Sequence, residues 1–192
     1  MLLKPLENAA KVIIVSGLSR SGKDTLADLT GLPVIKFAAP MKRAFETFMS
    51  LPVGFLDSEA RNNRVVDIVT GITMAYTYLD VMVNAFKVWK SIHPHGLALG
   101  AVEASWQGLK AFVLSDLRAP EEAALVLNRF PQEDILNIVI TGRGKELESD
   151  IHLAANGAKF INKVILNNDS TYDNYIDLIT TVALPAITNF IK

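Results

Sequence analysis

Residues 17 to 25 read GLSRSGKDT. Two glycines five residues apart, followed by a lysine, are what a backbone needs to hold an anion. Gly17 and Gly22, with Ser21 between them, let successive N–H groups turn toward one group, and Lys23 adds a full positive charge. The spacing nearly matches the phosphate-binding loop G-x-x-x-x-G-K-[ST]. Asp24 stands where that pattern has a magnesium-holding hydroxyl, and Thr25 follows it. A carboxylate beside a polyphosphate is repelled unless a cation lies between them. Magnesium takes hard oxygen ligands and commonly uses one or two carboxylates together with phosphate oxygens. Asp24 is therefore a candidate metal ligand, direct or through water, with the Thr25 hydroxyl on a phosphate. It also suits the first turn of a helix, where a negative charge is worth about 0.3–1 kcal/mol. The sequence leaves both roles open.

Three further stretches place charge where a sheet would end. In KFAAPMKRAF, Lys42 and Arg43 fall in the first turn of an expected helix, beside its positive dipole end. An anion docking there would remove the conflict, as would full solvation. In SDLRAPEEA, Asp116 directly follows an apolar run, as a magnesium-ordering aspartate does, and the fork of donors on Arg118 suits a phosphate monoester. A salt bridge to a neighbouring acid is the alternative for Arg118. TGRGKE holds Arg143 and Lys145 between and after glycines, in a loop able to close over a ligand. Arg20, Lys23, Lys42, Arg43, Arg118 and Arg143 thus gather at strand ends in a chain of 19 basic and 20 acidic residues. The pattern points to two phosphorylated ligands, with cations to spread charge during phosphoryl transfer.

Weaker candidates surround these. Arg61 and Arg64 could reach a substrate from the middle of the chain, although a solvated loop explains them too. Asn167 and Asn168 close the last apolar run and could read a purine edge, while asparagine is also ordinary in turns. Trp89, Trp106, Tyr76 and Phe86 could stack a base, but helix-spaced aromatics are more often core. His93 and His95, in HPHG, show no third metal ligand.

The elements that must carry these residues alternate. KVIIVSG, LPVIKF, AFVLS, DILNIVITG and NKVILNN read as five short strands. KDTLADLT, PMKRAFETFM and RAPEEAALVLNRF read as helices, the last with Pro120 in its first turn. From Val65 to Lys90, Ile68, Ile72, Tyr76, Leu79, Val83 and Phe86 recur at helical spacing and predict one long helix. Residues 51–64 read as loop. A final helix starts after Asp169 or Ser170 and is kinked or stopped at Pro185. Strands alternating with helices imply a mainly parallel sheet, whose ligands bind beyond the carboxyl ends of the strands. With 192 residues and no linker or repeat, one domain is expected, carrying a helical insertion at about 50–110 between the second and third strands.

Composition narrows the function classes. A formal net charge of −1 gives no general attraction to nucleic acid or to anionic membrane. The absence of cysteine excludes disulfides, thiol catalysis and zinc–thiolate sites. The N-terminus lacks a signal-peptide layout, and the most apolar region is interrupted by Asp67, Asp80, Asn84 and Lys87, so no membrane span is expected.

GLSRSGKDT, KFAAPMKRAF, VLSDLRAPEEA and INKVILNNDSTYDNYIDLI, in this order, resemble the deoxynucleoside monophosphate kinases of tailed bacteriophages. The likeness covers roughly residues 12–48 and 111–180. It implies a P-loop NTPase three-layer α/β sandwich that transfers the γ-phosphate of ATP to a deoxynucleoside monophosphate. It implies ATP and Mg2+ as cofactors, no nucleic-acid or membrane partner, and the cytoplasm of a bacterial host as location. A homodimer is the assembly allowed for. By position, Lys23, Asp24 and Thr25 would handle ATP and magnesium, Arg20 the transferring phosphoryl group, and Asp116 magnesium or substrate. Arg118 and Lys42 would take the acceptor phosphate, and Arg43 and Arg64 stand as further substrate-binding candidates on the residue reading. Arg143 would be the closing arginine, and Asn167 would lie near the adenine. Two departures stand out: the family's glutamine- and glycine-containing segment is missing from KSIHPHGLALGAVEASWQGLKAF, and His152-Leu-Ala-Ala replaces a His-x-Ser-Glu motif. A kinase for another small phosphorylated acceptor, of dephospho-coenzyme A or phosphomevalonate type, and a nucleotide-binding module without turnover are the alternatives.

Overall fold

The computed structural model describes residues 10–66, 70–92, 102, 104–117, 120–142, 144, 160–169 and 171–192. The chain divides into two compact units, residues 1–37 with 103–192 and residues 38–102. Among the described residues the strands are, in chain order, β1 (Lys11–Gly17), β2 (Val34–Ile35), β3 (Arg64–Val66), β4 (Thr73–Thr77), β5 (Ala111–Leu114), β6 (Ile135–Gly142) and β7 (Lys163–Asn168). The helices are α1 (Lys23–Leu29), α2 (Ala39–Phe48), α3 (Tyr78–Ile92), α4 (Pro120–Arg129), α5 (Tyr172–Leu178) and α6 (Leu184–Ile191).

In the first unit, β2, β5, β1, β6 and β7 lie side by side in that order, and every neighbouring pair is parallel. Central β1 is buried from Val12 to Gly17, as expected of a β-branched run with strands on both sides and helices on both faces. Strand alternation sorts its side chains. Ile13 and Val15, with Val113 and Leu136, Ile138 and Ile140, pack under Leu26 and Ala27 of α1 and under Tyr175, Ile179, Ala183 and Ile187 of the C-terminal helices. Phe112 points the other way. It stacks on Trp106 at 5.7 Å and meets Phe130 edge-on at 5.7 Å. Helices on both faces of a five-stranded parallel sheet make this a three-layer α/β sandwich, the fold class expected from the sequence.

The second unit departs from expectation. The long helix predicted over Val65–Lys90 begins only at Tyr78, because β3 and β4 form an antiparallel ribbon before it. The segment is rich in β-branched and aromatic residues, and Ile72 and Tyr76, which a helix would bury, are each 61% exposed. Thr77 then opens α3. Its N–H and hydroxyl donate to Asp80 Oδ2 at 2.9 and 2.7 Å, and the Asp80 N–H returns to the Thr77 hydroxyl at 3.1 Å. These bonds from the Thr77 backbone and side chain hold the Asp80 carboxyl below its ordinary range. The insertion is thus mixed rather than helical. Its apolar centre is Phe45, Leu56 and Met82. Buried Glu46 accepts from Gly54 N at 3.1 Å and Leu56 N at 2.9 Å, which shapes the loop after α2.

The last helix also differs. Its cap is Thr171, whose side chain accepts from Asn174 N, rather than Asp169 or Ser170. Pro185 neither stops nor ends it, because one wide π-helical stretch, Ile179–Ala183, leads into α6 and absorbs the missing donor and the bulk of the ring. Among the described residues no helix is long and apolar enough to cross a membrane.

Candidate functional site

Parallel pairing brings the carboxyl ends of the strands to one edge. Gly17 sits beside Ile140, and Gly142 beside Asn168. From that edge the chain leaves β1 and turns into α1 through Leu18–Gly22. Gly22, at φ +99°, precedes α1 without a side-chain cap, so the first-turn N–H groups of the helix are not claimed by a capping side chain. Lys23 is 9% exposed, and its Nζ donates to Gly17 O at 2.9 Å and to Leu18 O at 2.5 Å, folding the ammonium back over the loop. Ser21 N donates to Leu18 O at 3.2 Å, while the fully buried Ser21 Oγ has no partner among the described residues. Arg20 holds the left-handed conformation at φ +66°, which is uncommon for a residue with a Cβ, and its side chain is exposed.

Other segments brace this loop. The hydroxyl of Tyr175 donates to Gly22 O at 3.0 Å, and its ring covers Gly22 so closely that a Cβ there would lie 2.5 Å from Cε1. Asn168 Nδ2 donates to Ser21 O at 2.8 Å. Gly144, at φ +136°, lies against Leu18 and Ser19, where a Cβ would come within 2.8 Å of Ser19 O. Burial pushes the Tyr175 phenol up to about 12, so it remains a donor at neutral pH. A cleft of about 420 Å3 opens beside the loop, lined by Arg20, Gly22, Thr25, Asn168, Tyr172 and Tyr175.

The two candidate metal ligands flank the end of β2. The exposed carboxylate of Asp24 pairs with Lys36 Nζ at 2.7 Å. Asp116 Oδ1 accepts from the N–H of the next residue, Phe37, at 2.7 Å. Asp24 stands on the first turn after the loop, and carboxylates are the oxygen ligands a divalent cation takes alongside phosphate and water. Among the described residues no three His, Cys, Asp or Glu side chains gather into a closed metal site.

Lys42 pairs with Asp57 at 2.5 Å inside the second unit, where Arg43 and Arg64 are exposed. Arg118, Arg143, Lys145, His93 and His95 lie outside the described residues. Asn167 is exposed and its amide donates to Asp169 at 2.5 Å, whereas the buried Asn168 lines the cleft. Trp106 is core. Sequence reasoning missed Tyr175, Tyr172 and Lys36. Two tyrosines three residues apart on the last helix, in TYDNY, were the available signal.

No family model matches the chain, and no curated protein matches its sequence. Among solved structures it is similar to a dephospho-CoA kinase from Campylobacter jejuni, at 14% identity and a TM-score of 0.50, over 94% of this chain and 98% of that one. It also matches a gluconokinase from Sinorhizobium meliloti 1021 at 12% identity and a TM-score of 0.42, over 94% and 93% of the two chains. The likeness is one of fold.

Proposed function

We propose that this chain is an ATP-dependent nucleotide kinase, transferring the γ-phosphate of ATP to a (deoxy)nucleoside monophosphate to give the diphosphate. The observation that carries the reading is the strand–loop–helix at Gly17–Thr25, with Gly22 left-handed before the helix and the Lys23 ammonium folded over the loop. A glycine-rich loop before a helix without a side-chain cap, with a buried lysine, suits a polyphosphate and offsets its charge. Arg20 stands at the mouth of the adjoining cleft and is assigned to the transferring phosphoryl group, with Arg143 as the closing arginine. Asp24 and Asp116 would hold Mg2+, which when bound neutralises the β- and γ-phosphates. The acceptor phosphate is assigned to Arg118, and Lys42, Arg43 and Arg64 stay candidates for the acceptor. In this reading catalysis is positioning plus electrostatic stabilisation, without a covalent enzyme intermediate.

The fold likeness to a dephospho-CoA kinase favours one second reading, a kinase whose acceptor is of that type. Incubation with ATP, Mg2+ and a panel of nucleoside monophosphates and dephospho-CoA, following ADP, separates the two. We expect acceptor-dependent ADP with a nucleoside monophosphate, and a fall of at least about a hundredfold in turnover for Lys23→Ala. ATP binding without acceptor-dependent ADP would refute the kinase and leave a binding module.

A further inference from the structure

Asn168 and Tyr175 come from the far end of the chain, yet each donates to one of two consecutive carbonyls of the loop. Asn168 Nδ2 lies 2.8 Å from Ser21 O, and the Tyr175 hydroxyl 3.0 Å from Gly22 O. A trans peptide is planar, and its C=O and N–H point in opposite directions. Fixing Ser21 O therefore aims the Gly22 N–H away from Asn168, and fixing Gly22 O aims the Lys23 N–H away from Tyr175. Gly22, at φ +99°, lets the Ser21–Gly22 peptide flip with little resistance, whereas Gly22 O also accepts the first helical bond of α1, from Leu26 N–H at 3.1 Å, which Tyr175 reinforces. A flipped peptide would offer a carbonyl oxygen to an anion, which repels it.

We propose that Asn168 and Tyr175 are positioning residues for the phosphate loop: together they latch Ser21 O and Gly22 O so that the Gly22 and Lys23 N–H groups stay directed at a bound polyphosphate. The inference rests on the phosphate-loop reading above and adds to it two residues that touch the loop rather than the reacting atoms. Both residues are buried, at 3% exposure each; the Asn168 bond is fully buried and the Tyr175 bond partly so, and a hydrogen bond shielded from water is harder to exchange. Tyr175 adds a steric stop. Its ring occupies the space over Gly22, where even a methyl group would meet it.

The test is calorimetric titration of inorganic triphosphate with Mg2+ into the wild-type chain, Tyr175→Phe and Asn168→Leu. Each variant should bind triphosphate about two- to tenfold more weakly, the effect of one lost hydrogen bond. The KM for ATP should rise by the same factor while the KM for the acceptor stays put. Wild-type affinity in both variants would overturn the latch and leave the phosphate loop standing. Equal rises in both KM values, tracking a fall in melting temperature, would also overturn it, because that is the mark of general loosening. A wild-type chain that does not bind triphosphate would overturn the loop reading and the latch together. One measurement needs no variant: the Gly22 and Lys23 amide proton resonances should move downfield on adding triphosphate to the wild-type chain. Unmoved resonances at saturation refute the latch.

Discussion

Lys23 and Asp24 are neighbours with opposite surroundings, and the helix explains why. Successive residues on a helix point about 100° apart. The lysine turns back over the loop at 9% exposure, while the carboxylate of Asp24 is 73% exposed and meets Lys36. An exposed pair of this kind stabilises little, so Lys36 can yield Asp24 to a cation without unfolding anything. The residue types of this pair of neighbours were legible from GKDT alone. Their partners were not, because Lys36 reaches Asp24 only through the pairing of β2 at the sheet edge. Tyr175 was illegible for the same reason: nothing local ties residue 175 to residue 22. Its phenol supplies a pH prediction. The unfolded chain releases that proton near pH 10, whereas the folded chain keeps it until about 12. The unfolded state then binds fewer protons, so stability present below pH 10 is lost as pH rises through about 12. The melting temperature of the wild type should therefore fall more steeply across that window than that of Tyr175→Phe. Parallel curves would show that the phenol is not desolvated.

At the scale of elements, short β-branched runs between glycines and charges identified β1, β5, β6 and β7, because a buried parallel strand has few other compositions. The stretch from Val65 to Lys90 shows where spacing misleads. Apolar residues there recur every three to four positions, but Ile72, before β4, and Tyr76, within it, are exposed, and in α3 only Leu79 and Phe86 of the set are partly buried. Periodicity reports a helix only when a neighbouring surface covers one face of it. At Pro185, where a kink or a stop was expected, the helix is interrupted by a π-helical stretch and then runs on. The loop-to-α1 junction gives the element-scale prediction. In Gly22→Ala, the new methyl would lie 2.5 Å from Tyr175 Cε1, on a backbone at φ +99°. Urea titration should show a loss of roughly 1–3 kcal/mol. A double variant that also trims Tyr175 should recover only part of it, because the φ strain remains. Full recovery would mean that crowding alone was responsible.

At the scale of the whole molecule, a ligand that binds only the folded loop must stabilise the unit that carries it. At a hundred times its Kd, ATP with Mg2+ adds about 2.7 kcal/mol. For a chain of this size that is roughly 5–10 °C in the melting temperature, and adenosine, which lacks the phosphates, should give no comparable shift. Equal shifts from both would place the affinity in the base and count against the loop. The sequence by itself determined the local chemistry: a glycine-rich turn between a buried strand and a helix, its lysine and aspartate, and five strands whose alternation with helices made the sheet parallel. Those features depend on residues close together in the chain, where backbone preference and apolar patterning act directly. Only the tertiary structure decided the strand order, the meeting of Asp116 with the Phe37 N–H, and the hold of Asn168 and Tyr175 on the loop. The three hydrogen bonds join residues 79 to 153 positions apart, and no local preference encodes a contact that exists only once the sheet is assembled.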